Sequence, residues 1–114
     1  MNKYIFEFVV GDNHHYICAG QPVTVGEHVL NFTTKRKLVM RPQPRNAMRI
    51  EGFKESKKLL DQFLTISPTN IRKLVGVDKD WDRPIIINMR RDDESTKLID
   101  CVAAQRMYTF KEQE

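Results

Sequence analysis

The chain has 114 residues, 40% hydrophobic and 30% charged, which suits one folded core spanning residues 1–114 and excludes a wholly disordered or collagen-like polypeptide. Its net charge is +4, and its two cysteines, Cys18 and Cys101, form no Cys-x-x-Cys pair. That argues against a disulfide framework or a zinc knuckle and for reduced thiols in a cytoplasmic protein. No apolar run approaches the ~18 residues of a membrane helix, so no membrane partner is expected.

At residues 4–10 the side chains Tyr4, Phe6, Phe8 and Val10 alternate with Ile5, Glu7 and Val9, the period-two pattern of a strand with one strongly apolar side. Glu7 interrupts the apolar run and no small-residue cleavage site follows, so the segment reads as a strand and not as a leader. Gly11, Asp12 and Asn13 supply turn chemistry, and residues 14–19 alternate again, giving a β-hairpin. A third strand is expected over residues 23–32, with Gly26 at a bulge, then a turn over 33–37 and a fourth strand at 38–40. Pro42 and Pro44 end this region, because neither can donate to a ladder, and a linker runs to about Ile50.

Phe53, Leu59, Leu60, Phe63 and Leu64 recur at helical spacing while Lys54, Glu55, Lys57, Lys58 and Asp61 take the opposite face, which predicts an amphipathic helix over 53–66. Ser67 as N-cap, Pro68 at the first helical position and the stripe Ile71, Leu74, Val75 before Gly76 predict a second, short helix. A charged loop over 77–82 leads to a β-branched strand at 84–89 and a turn over 91–95. In residues 98–110, Leu98, Ile99 and Val102 fit a helix, whereas the stretch from Cys101 to Phe110 fits a strand; we prefer a last strand paired back on 85–89. The expected fold is α+β: an antiparallel sheet of about five or six strands with one amphipathic helix and one short helix packed on a face. Tyr4, Phe6, Phe8 and Val10 would meet Phe53, Leu60, Phe63 and Leu64.

The motifs of catalysis are missing. No Gly-x-Ser-x-Gly or local cysteine signature marks a nucleophile, and the five glycines form no phosphate loop. His14 and His15 are adjacent on a strand and so point to opposite faces, which denies them a shared metal. Asp78, Asp80 and Asp82 resemble the opening of an EF-hand calcium loop, but Arg83 stands where glycine is needed and Met89 where the bidentate glutamate belongs. A solvated acidic loop is the simpler account, and no cofactor or metal ligand set is assigned. The two helices invite comparison with a helix-turn-helix reader, yet the surrounding chain is β and their turn lacks glycine, so packing on the sheet is expected.

The charge is local. Residues 28–50 carry six cations, Lys35, Arg36, Lys37, Arg41, Arg45 and Arg49, and no acid. Such a stripe sets up a positive field that favours phosphates or an acidic protein surface. Its interleaved polar residues and Phe32 would suit nucleic acid, DNA or RNA; a protein partner would need anchors such as an exposed Trp81 or Tyr108. The sequence reading is a non-catalytic basic binding module using those six cations, an adaptor or inhibitor, of which one from a mobile element would be an example. The alternative is a small metal-dependent nuclease with a dispersed site. An open sheet edge would also allow a homodimer.

Overall fold

The computed structural model describes residues 2–19, 38–41, 47–93 and 98–110. Within them an antiparallel sheet is built from β1 (Lys3–Val10), β2 (Asn13–Ala19), β3 (Leu38–Arg41), β5 (Ile85–Asp93) and β6 (Leu98–Tyr108), in the order β3-β2-β1-β5-β6. A two-residue strand, β4 (Ile50–Glu51), pairs with Lys3 and Tyr4 of β1. Two helices, α1 (Phe53–Phe63) and α2 (Pro68–Val75), complete the fold. The expected α+β architecture is therefore found. No helix of the described residues is long and apolar enough to cross a membrane.

The hairpin β1–β2 closes through Val10 opposite Asn13, with Gly11 at φ 60°, a left-handed conformation in which glycine carries no Cβ penalty. The helices cover the face of β1 that holds Phe6 and Phe8. Phe63 of α1 meets both rings edge to face at 5.1 and 5.3 Å, and Leu60, Ile66 and Ile71 are buried beside them. The expected meeting of β1 with the helix is borne out except at its edge: Phe53 is 47% exposed, its ring edge-to-face with Tyr4 at 5.9 Å. Ser56 is buried at no hydrogen-bond loss, because its hydroxyl donates to the Ile50 carbonyl at 3.3 Å.

Three local expectations shift. The first helix stops at Phe63, not Ile66. Leu64, Thr65 and Ile66 donate to carbonyls three residues back, which tightens the last turn, and Ser67 must be extended ahead of Pro68. Ser67 then caps α2 by accepting from the Asn70 amide, and Gly76 ends it in the left-handed region at φ 72°. The linker expected up to Ile50 contains β4, held by Gly52 donating to Asn2 and Met48 to Ile17. Of the turn placed over 91–95, residues 91–93 are strand: β1 offers a ladder down to Lys3, so Arg91 and Asp92 stay paired opposite Tyr4 and Lys3, and the remainder lies outside the described residues.

The strand reading of 98–110 is correct, since β6 pairs along β5 from Leu98 opposite Asp93 to Tyr108 opposite Ile85, with register shifts near Arg90. The strand expected over 23–32, its Gly26 bulge and the turn over 33–37 lie outside the described residues.

Candidate functional site

On the sheet face turned away from the helices, cross-strand register lines up Tyr16, Glu7, Asn88 and Gln105 in one row across β2, β1, β5 and β6. The alternation that sends Phe6 and Phe8 to the helices sends Glu7 to this row, where only 2% of it is exposed. A carboxylate so buried is tolerable only with partners. Glu7 has four: Asn88 Nδ2 and Arg90 Nε donate to Oε1, each at 2.9 Å, while His14 Nδ1 at 2.9 Å and the Tyr16 hydroxyl at 3.0 Å donate to Oε2. Gln105 Nε2 extends the row by donating to Asn88 Oδ1 at 2.7 Å.

Burial pushes the Glu7 carboxyl up, but the hydrogen bonds from Asn88, His14, Arg90 and Tyr16 outweigh it and hold the group down at about 2. Burial raises the Tyr16 phenol, helped by its bond to the Glu7 anion and opposed by Arg90. Because the ionised carboxylate only accepts, His14 Nδ1 carries a hydrogen in this contact. The four contacts fill the lone-pair sites of both carboxylate oxygens. Glu7 is thereby left with no site for a metal ion and no free lone pair with which to take a proton from a substrate. The arrangement ties three adjacent strands together.

His14 and His15 stand opposite Val9 and Phe8, on opposite faces of the sheet as alternation requires. Asp78, Asp80 and Asp82 are exposed in the loop after α2, and among the described residues no group of three or more His, Cys, Asp or Glu side chains converges on a metal position. Cys18 is a buried core thiol.

Of the six cations expected to hold a partner, Lys35, Arg36, Lys37 and Arg45 lie outside the described residues. Arg41 lies on β3, at one end of the order of described strands, at the register position opposite Tyr16. Arg49 lies between Met48, whose amide donates to Ile17 of β2, and Ile50 of β4; its guanidinium donates to the Asp92 carboxylate through Nε and to the Ala47 carbonyl through Nη1 at 3.0 Å. Arg49 therefore already serves a nearly buried anion, Asp92 being 8% exposed.

Two expected anchors are corrected. Tyr108 is 1% exposed, with its ring against Phe110 and its hydroxyl donating to the Ile66 carbonyl, so it pins β6 to the helix layer. Trp81 is partly buried: Arg83 lies over its ring at 4.2 Å, its indole N–H donates to the Arg83 carbonyl, and Arg72 Nε donates to the Trp81 carbonyl at 2.8 Å. Sequence reasoning also missed the Glu7 row. Its signal was a single acid in an otherwise apolar strand, but its partners lie as far away as Arg90, 83 residues along the chain. Comparison of the chain with protein-family models, with curated proteins and with solved structures returned no match.

Proposed function

We propose that this protein is a non-catalytic binding module whose cationic stretch grips an acidic protein surface. One observation carries the reading: the acid-free stretch holding Lys35, Arg36, Lys37, Arg41 and Arg45 runs through β3, the outermost of the described strands on its side of the sheet. Cations in that stretch steer an acidic partner toward this margin of the described sheet. The large apolar side chains left exposed on the opposite end of the sheet, Met107 at 55% and Val102 at 38%, suit a protein contact. Base stacking calls for an aromatic platform. Tyr16, the aromatic side chain of the Glu7 row, is half-buried with its hydroxyl committed to Glu7.

The test is fluorescence anisotropy of labelled poly-glutamate, duplex DNA, single-stranded DNA and RNA at two salt concentrations, with wild type and the variant Lys35→Glu, Arg36→Glu, Lys37→Glu. The proposal expects salt-sensitive binding of poly-glutamate, weakened by roughly tenfold or more in the variant. Preference for a nucleic acid, with log affinity falling linearly in log salt, would replace the acidic protein by a phosphate backbone. No binding of any polyanion at low salt would end the reading.

A further inference from the structure

The two helices place their charges in opposite ways. In α2 both ends are compensated: Ser67 caps the first turn, and Arg72 and Lys73 stand in the last turn, where the helix dipole favours cations. In α1 the cations sit at the other end. Lys54 is in the first turn, where the dipole disfavours a positive charge, no side chain caps the start at Gly52, and the last turn holds no basic residue. Lys54 also lies three residues before Lys57 and four before Lys58, spacings at which like charges repel on a helix surface. Lys58 is relieved by Glu55 at 3.5 Å, and the neighbouring acid Glu51 stands opposite Lys3 across the β4–β1 pair. Among the described residues no carboxylate is paired with Lys54 or Lys57, and both lysines are exposed.

Phe53 belongs to the same surface. Of the large apolar side chains left exposed among the described residues, it alone is aromatic. Its ring rests edge to face on Tyr4, a core residue, and the Lys57 ammonium lies over it, 5.9 Å from the centroid. A nucleobase stacked on that ring face would have to displace the ammonium, whereas a carboxylate bonds the ammonium where it stands. The fold does not call for this arrangement, because α1 is held by the burial of Leu59, Leu60 and Phe63 on its other side. Local rules broken without a return in the fold point to a demand of function.

Resting on the acidic-partner reading above, we propose that the first two turns of α1 form a second contact for that partner. Phe53 takes an apolar side chain of an acidic segment, and Lys54 and Lys57 take the carboxylates beside it. The segment's negative charge relieves the repulsion among the lysines and their conflict with the helix dipole, and its apolar side chain covers the exposed ring.

The experiment uses four labelled probes at low salt: poly-glutamate, a ten-residue glutamate peptide with leucine at its two central positions, the same peptide with glutamine there, and single-stranded DNA. Lys54→Glu puts an acid in the first turn and four residues before Lys58, so it is expected to hold or raise the melting midpoint while weakening poly-glutamate binding by about fivefold or more. Lys79→Glu, an equal change of charge in the exposed loop after α2, is expected to weaken it by about twofold or less. Wild type is expected to prefer the leucine peptide to the glutamine peptide by about fivefold or more, and Phe53→Gln to abolish that preference. Equal weakening by Lys54→Glu and Lys79→Glu, a lowered midpoint in Lys54→Glu, or a leucine preference that is absent or survives Phe53→Gln would overturn the α1 contact, and with poly-glutamate still bound by wild type the acidic-partner reading would stand. Failure of wild type to bind poly-glutamate would remove that reading and the contact with it. Tighter binding of single-stranded DNA than of any acidic probe, lost in Phe53→Gln, would assign the ring to a base and likewise overturn the proposal.

Discussion

The two faces of the sheet are buried by different means. Toward the helices the side chains are apolar and interlock: Phe6, Phe8 and Phe63 form an edge-to-face trio closed by Leu60 and Ile71, and the attraction is non-directional and repaid by area removed from water. On the other face the central side chain is an anion, and its burial is repaid by four directed hydrogen bonds from the two flanking strands, β2 and β5. The first face tolerates changes that conserve volume. The second depends on charge and on donor geometry, so it is exposed to pH in a way the first is not.

The comparison breaks most sharply at Phe63. Phe63→Ala removes the ring that both β1 phenylalanines contact and leaves a cavity, and should lower unfolding free energy by about 3–5 kcal/mol, read from a shift in urea midpoint at unchanged slope. Glu7→Gln keeps the shape but leaves Arg90 facing a neutral amide and turns one acceptor into a donor aimed at existing donors; a loss of about 3 kcal/mol is expected by the same measurement.

Acid probes the same carboxylate without mutation. The folded Glu7 titrates at about 2 against an ordinary 4.5. Its contribution is thus complete above 4.5 and is lost as pH falls toward 2. The difference corresponds to about 3 kcal/mol, so stability of Glu7→Gln should fall less steeply than wild type across that window.

Smaller effects locate the attachments between the layers. Tyr108→Phe deletes the buried hydroxyl donating to the Ile66 carbonyl and should cost about 1–2 kcal/mol, with slowed hydrogen exchange of the end of β6 partly lost. Ser67→Ala removes the α2 cap and should cost about 1 kcal/mol, confined to that helix.

What could be read in the chain divides along the same line. The helix-facing side was legible because it obeys periodicities: two along β1, and 3.6 in the stripe of Leu59, Leu60 and Phe63. The caps were legible because Ser67, Pro68 and Gly76 act on their immediate neighbours. The Glu7 row was not, since a hydrogen bond between Glu7 and Arg90 depends on β5 pairing beside β1, and nothing local announces that pairing. Tyr108 misled for a related reason: as a residue type it suits an exposed anchor, and only the position of the Ile66 carbonyl decides that it is buried. The end of α1 was overextended because Leu64 and Ile66 continue the apolar spacing, while the extended conformation imposed by Pro68 sets the boundary. Of the cations, the stretch itself was visible in composition, but the commitment of Arg49 to Asp92 arises from tertiary contact alone.

The measurement that bears most directly on the account pairs two variants in one assay: Glu7→Gln and the triple charge reversal at Lys35, Arg36 and Lys37, each followed by thermal melting and by low-salt binding of labelled poly-glutamate well below the melting midpoint. The account predicts that Glu7→Gln lowers the midpoint and keeps the binding, whereas the triple variant keeps the midpoint and weakens binding by roughly tenfold or more. A triple variant that binds as wild type does, or a Glu7→Gln chain that remains folded and has lost binding, would contradict it.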